Sequence, residues 1–403
     1  MALFGEHPEL ERRVADYAAR AEALFAAEPA DGASAAKGGV RPPADPSRLR
    51  ADWRRLASLG VLPPLTAPGP ADGPADAGYG EVSGTLAAIE GIGLAGVDGG
   101  LVYAMASQAF GMQYPLRPWL TAEQRAALDG LAGGERLLCH ALTEPGGGSD
   151  PLSMTTRAEP QPDGGYLLDG EKRFITAAPV ADTALVFART GEAGPFALSA
   201  FLVDLDAPGV LRGDPLPKTA LPGIPMGGLR LTGVRVPAAR RIGEEGAGLA
   251  VLTATTTWER ALLLGYALGS MRRTLDRTVE WAKERRHFGR RMGASHLVAG
   301  RIADMALALY RSRRLLYGAA ARLDAGVSVR ALGDEASLIK ISVTEDHQAF
   351  ARHAAQLGGV RAYIGDSELA VDLIGPMAGS TYAGPNDLLR ITVARQLGLP
   401  VPS

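Results

Sequence analysis

Cysteine is almost absent from this 403-residue chain. Cys139 stands alone, which excludes an intrachain disulfide and fits a reducing compartment. Its setting, Leu137-Leu138-Cys139, predicts a buried strand position, not a nucleophile. With one cysteine, and with His140, His296 and His353 at no metal-ligand spacing, no zinc site is expected. Charge imbalance is lacking too: a formal net charge of −2 gives no electrostatic case for nucleic acid or for an anionic membrane. No apolar run reaches membrane-spanning length. The N-terminal MALFGEHPELERRV carries acids where a signal peptide has cations and then an apolar core, so a cytoplasmic location is expected.

What is present is ample material for a core. Hydrophobic residues make up 46% and charged residues 21%, ordinary for a globular protein, and the length predicts two or three packed domains. Residues 1–27 read as an amphipathic helix, with Leu10, Val14, Tyr17, Ala21 and Leu24 on one face. Two Ala/Pro/Gly-rich stretches, Ala27–Ser47 and Leu62–Tyr79, read as surface connections around a short helix from Leu49 to Leu59. Helical periodicity resumes from Val82 to about Leu131 and includes a Thr121 cap. Strand-like pieces then recur at Thr156–Glu159, Tyr166–Leu168, Thr183–Ala188, Ala197–Val203 and Leu229–Val236. Three long helical segments, Leu249–Arg286, Ser295–Ala325 and Ser328–Leu357, precede shorter ones at Ser367–Ile374 and near Leu388–Leu397. The expected class is α+β: a helical domain over 1–136, a small β-domain over 137–246 and a helical bundle over 247–403.

The most informative stretch runs from Leu142 to Thr176. Thr143-Glu144-Pro145 leads into Gly146, Gly147, Gly148, then Ser149-Asp150, and an Asp163-Gly164-Gly165 hairpin signal follows. Glycines admit close backbone approach to a ligand, and the two hydroxyls are short donors. Phe174 and Thr176, two apart on a predicted strand, share a face suited to a flat, hydrogen-bonding ring. Alone, such a loop is a turn into a hairpin. TEPGGGSD followed by GYLLDGEKRFIT, however, closely resembles the acyl-CoA dehydrogenase family, whose order of helices, β-module and helical bundle the chain also follows. The resemblance implies an FAD enzyme in which Leu142, Thr143, Gly148 and Ser149 contact flavin or substrate. It further implies that Thr176 reaches flavin N5 and that Phe174 packs on the ring where a Trp is more usual.

Further motifs carry the same resemblance. Arg285-Arg286-His287-Phe288-Gly289 is similar to the family's Arg-x-x-Phe-Gly signature, which implies that Arg285 and Phe288 reach the FAD of a neighbouring subunit. A guanidinium suits that diphosphate; the bland alternative is a solvated helix end. Gly358-Gly359 resembles a turn approaching the partner's FAD, although Ala355 stands where the family has Gln and Gln356 comes one residue late. A homo-oligomer, dimer or tetramer, is thereby implied. His296 stands where a Gln near the FAD ribose is usual, and a structural histidine is the plainer reading.

Many family members carry the catalytic base, a Glu, in a tail segment that here reads Tyr382-Ala383-Gly384-Pro385. Alanine takes no proton. Other branches place the base on the first long helix of the bundle, before an Arg, and this chain has Trp258-Glu259-Arg260 there. Glu259 is either that base or a helix-surface charge paired with Arg260; Asp387 is a poorer candidate. The backbone N–H of Ala383 keeps the implied role of donating to the thioester carbonyl, since that role needs no side chain. Glu259 and a tail without Glu resemble the natural-product branch acting on carrier-protein thioesters. The leading expectation is α,β-desaturation of an acyl thioester on acyl carrier protein or CoA, with the electron acceptor unspecified. A flavin oxidase or monooxygenase, and a non-catalytic subunit, are the alternatives.

Overall fold

The computed structural model describes residues 8–26, 45–66, 80–192, 194–365 and 367–401. Most of the two Ala/Pro/Gly-rich stretches lies outside these. The chain opens with helices α1 (Pro8–Ala26), α2 (Pro46–Ala57), α3 (Glu81–Leu94) and α4 (Gly99–Ala106). α4 runs on into a π-helical segment, Ser107–Gln113, and then α5 (Tyr114–Leu116) and α6 (Ala122–Ala127). Thr121 caps α6 as predicted, with Gln124 completing a reciprocal capping box.

α3 is buried all round, so it cannot be a surface amphipathic helix. Gly80 at its start offers no side-chain cap. Asp324 replaces one from a distance, accepting from Val82 N at 2.8 Å and Ser83 N at 3.0 Å. Glu90 on the same helix is fully buried, but Arg313 lies 3.0 Å away and Tyr317 donates to it at 2.7 Å. Arg313 also bonds Glu11 at 2.6 Å, and Glu11 takes Arg272 at 2.7 Å. This network ties the N-terminal helices to the bundle.

Eight strands follow between 138 and 242: β1 (Leu138–Ala141), β2 (Arg157–Pro160), β3 (Tyr166–Thr176), β4 (Thr183–Arg189), β5 (Leu198–Asp204), β6 (Val210–Arg212), β7 (Met226–Val236) and β8 (Arg241–Ile242). The sheet order is β6-β7-β3-β2-β4-β5-β8, with β1 parallel to β4. All five predicted strand segments are present, and β2 and β3 form the hairpin that Asp163-Gly164-Gly165 signals. Cys139 is buried on β1, and burial pushes its thiol up to about 12, which makes it inert as predicted.

The bundle comprises α7 (Gly248–Leu262), α8 (Tyr266–Glu284), a small hairpin of β9 (Arg286–His287) and β10 (Arg290–Arg291), α9 (His296–Asp324), α10 (Val329–Gly358), α11 (Ile374–Ala378) and α12 (Asn386–Gln396). Two expectations need correction. The segment Leu249–Arg286 is not one helix: it breaks through a tight turn at Leu263–Gly265, where a Cβ on Gly265 would stand 2.3 Å from Leu86. Nor does a helix run through Ser367–Ile374. Ser367 instead folds its hydroxyl back onto Leu369 N, and the short helix starts later, where Asp372 accepts from Ile374 N and Gly375 N at 2.9 Å each.

Candidate active site

A cavity of about 830 Å³ opens between the N-terminal helices, the β-sheet and the bundle. Eight of the twelve predicted site residues line it: Leu142, Thr143, Gly148, Ser149, Phe174, Thr176, Glu259 and Ala383. Arg285, Phe288, Gly358 and Gly359 do not. Arg285 precedes the β9–β10 hairpin and Phe288 sits in its turn, fully exposed with φ +48°, and the two glycines end α10.

The Gly-rich wall is held by a buried ion pair. Glu144 accepts from Thr155 N at 2.7 Å and its hydroxyl at 2.6 Å, and from Thr156 N at 2.9 Å and its hydroxyl at 2.5 Å. Lys172, fully buried, completes the set at 3.0 Å and also donates to Leu142 O at 3.1 Å. Burial alone would raise the Glu144 carboxyl, but the two threonine hydroxyls and the Lys172 charge bring it down to about 2. The Glu of TEPGGGSD is therefore a staple for the loop, not an acid–base group. Gly148 fits only because it lacks a side chain: a Cβ there would lie 2.7 Å from the Thr143 hydroxyl.

Phe174 and Thr176 both line the cavity, but not by simple alternation. The β3–β7 register slips between Lys172 and Ile175, and Phe174 takes φ +58°. A bulge re-aims that ring into the cavity. It remains 52% exposed, an apolar face in a strained backbone that a planar ligand would cover. Thr176 and Tyr103 line the cavity together. Ring, glycine cradle and hydroxyls together fit an isoalloxazine.

Glu259, on α7, is partly buried, and its carboxylate accepts no hydrogen bond among the described residues. Burial pushes its carboxyl up to about 7 despite the adjacent Arg260 charge. It is thus neither a surface charge nor a neutralised ion-pair partner. Arg260 turns away, its Nε donating to Ala383 O at 2.9 Å. Lys340, almost wholly buried on α10, donates to Gly384 O at 2.8 Å and Asn386 Oδ1 at 2.7 Å. Burial, together with the Arg260 charge, lowers its ammonium to about 7. The two cations clamp consecutive carbonyls of a turn in which Ala383 and Gly384 both have positive φ, +52° and +94°. The Ala383 N–H donates to no protein acceptor among the described residues. Tyr103, Tyr266 and Tyr382 pack behind it, with 3.0 Å between the Tyr266 and Tyr382 hydroxyls.

Asp387 is 96% exposed at the start of α12, outside the cavity, and is excluded as a base. His140 lines the cavity, its Nε2 3.2 Å from the Thr255 hydroxyl, and burial lowers it to about 4, so it is neutral. His296 is exposed at the start of α9. Sequence reasoning missed Lys172, Lys340 and the clamp. Only Lys172 left a signal, since alternation along β3 places it on the face of Tyr166 and Leu168.

A helical–β–helical chain with a glycine cradle, a bulged aromatic and a desolvated carboxylate around one cavity is built as a flavin-dependent dehydrogenase. The comparisons name the family. The acyl-CoA dehydrogenase middle-domain profile matches residues 139–234 and the C-terminal-domain profile residues 246–398. The chain belongs to the acyl-CoA dehydrogenase family, FAD-dependent oxidoreductases acting on CH–CH bonds. It is 36% identical to an L-prolyl-[peptidyl-carrier protein] dehydrogenase of Pseudomonas fluorescens, over 80% of this chain and 84% of the relative. A second protein of that description, from a Serratia species, is 32% identical over 78% of this chain and 81% of its own. Among solved structures, the prolyl acyl carrier protein oxidase AnaB superposes with a TM-score of 0.83 at 27% identity, covering 98% and 99% of the two chains. PigA with FAD and proline gives 0.81 at 26% identity, covering 98% of each.

Proposed function

We propose that this chain desaturates an aminoacyl thioester, a prolyl group on a carrier protein's pantetheine arm, with Glu259 as the base. The observation that carries the reading is the Glu259 carboxylate. It stands on the cavity wall without a hydrogen-bond partner, raised by burial to about 7, where a base works best near neutral pH. Its oxygen takes the proton from the α-carbon. The Ala383 N–H, held out by Arg260 and Lys340, donates to the thioester oxygen as negative charge develops there. FAD, when bound, supplies the acceptor for the β-hydrogen and its electron pair. Phe174, Thr176, Leu142, Thr143, Gly148 and Ser149 hold its ring. Arg285, Phe288, Gly358 and Gly359 serve the FAD of a neighbouring subunit, which makes the enzyme a homo-oligomer, dimer or tetramer, of subunits divided at 136/137 and 246/247. The prolyl group and the carrier handle rest on what the relatives are described as acting on.

A second reading, oxidase chemistry, is favoured by the description of AnaB as an oxidase, and oxygen consumption with turnover distinguishes it. A non-catalytic subunit is disfavoured, because such a subunit has no use for a desolvated, unpaired carboxylate facing a cavity. The test is an anaerobic titration of the purified flavoprotein with prolyl thioesters on carrier protein and on CoA, followed at the flavin band. Bleaching by the carrier-borne thioester is expected. Bleaching by the CoA ester alone would overturn the handle, and bleaching by neither would overturn the activity.

A further inference from the structure

We infer that Gly111 is a positioning residue: the π-helical segment Ser107–Gln113 presents it as a notch that seats the Glu259 carboxylate. The inference rests on Glu259 being the base. A Cβ built on Gly111 meets Glu259 before anything else, with Oε1 at 2.6 Å, Cγ at 3.0 Å and Cδ at 3.1 Å. All three nearest atoms belong to that one side chain. A π-turn widens the helix and shifts which residues face a neighbour, a feature that recurs at functional sites. Here it turns a side-chain-free position toward α7 at the residue that carries the carboxylate.

A glycine inside a helix otherwise has no advantage. Alanine is favoured over it by conformational entropy, and Gly111 has no positive φ that would require glycine. The backbone therefore accepts Gly111→Ala, and the flexible end of Glu259 is what must yield. It yields toward the cavity, where it is better solvated and lies off the line to the α-carbon. The charged and titratable groups around it are Arg260 on its own helix, Tyr103 on α4 and, behind Arg260, Lys340 on α10. The substitution leaves all three in place.

The experiment compares Gly111→Ala in the wild-type and Glu259→Asp backgrounds, as the FAD-loaded enzyme. In the wild-type background the flavin spectrum and melting temperature hold, kcat/KM falls about 100-fold, as for a group misplaced by about 1 Å, and the acid limb of its pH profile moves to lower pH. In the Asp background the 2.6 Å contact to Oε1 is gone and the 3.0 Å approach to Cγ remains, so the same change costs less. A near-wild-type kcat/KM for Gly111→Ala, or an equal loss in both backgrounds, would overturn the inference. Should Gly111→Ala fail to fold, Gly111→Ala/Glu259→Ala must fold, because the crowded atoms are gone; its failure would also overturn the inference. Glu259→Gln separates the two levels. Full activity in that variant refutes the base itself, whereas an inactive Gln variant beside a fully active Gly111→Ala refutes only the notch.

Discussion

Replacing Glu259 with Gln should make the protein more stable, and only at higher pH. The rise of the Glu259 carboxyl from an ordinary 4.5 to about 7 has burial as its first cause. At roughly 1.4 kcal/mol per tenfold change in proton affinity, ionising it disfavours the folded chain by roughly 3 kcal/mol. The sign follows from linkage: a carboxyl with a raised folded pKa adds stability that is complete below 4.5 and lost as pH rises through about 7. Glutamine is neutral throughout and nearly isosteric. Urea unfolding of the FAD-loaded pair at pH 5 and pH 8.5 reads the difference directly. The two should unfold within about 1 kcal/mol of each other at pH 5, and the Gln variant should gain roughly 3 kcal/mol at pH 8.5. Equal stability at both pH values, or a less stable Gln variant at pH 8.5, would refute the claim that burial strains this carboxylate.

Other perturbations report on separate parts of the site. Glu144→Ala strands the buried Lys172 ammonium and should cost about 3–5 kcal/mol in denaturant unfolding, with loss of the flavin spectrum as the Gly-rich loop detaches. Phe174→Ala removes a ring that is half exposed in the free chain, so it should weaken FAD retention on gel filtration while leaving the unfolding midpoint nearly unchanged. Lys340→Met removes one clamp on the Ala383–Gly384 turn; kcat should fall by about 10- to 100-fold with KM for the thioester little changed, because the donor it steadies acts on charge that develops in the transition state. The wild-type kcat/KM profile should be a narrow bell centred near pH 7, because Glu259 ionises and Lys340 loses its proton over the same range.

The element order was legible because hydrophobic period switches cleanly from helical to strand and back at the edges of the sheet, and Thr121 and Asp163-Gly164-Gly165 carry their own local chemistry. Two features that failed to show were decided by partners distant in sequence. The α7–α8 break depends on Leu86 packing against Gly265, and the bulge that aims Phe174 depends on pairing with β7. At the site, motif residues were readable because they cluster within 142–176. Lys340 reaches a turn more than forty residues away, and Gly111 is one glycine among 51 until Glu259 is seen lying against it. Nothing local marks either.

The central claim is that Glu259 takes the α-proton. Anaerobic single-turnover stopped flow with a prolyl-carrier thioester, wild type beside Glu259→Gln, tests it most directly. Both proteins should show the same flavin spectrum and bind the thioester, while the flavin band bleaches in the wild type and stays unchanged in the Gln variant. Bleaching of the variant at the wild-type rate would contradict the account and move the base elsewhere.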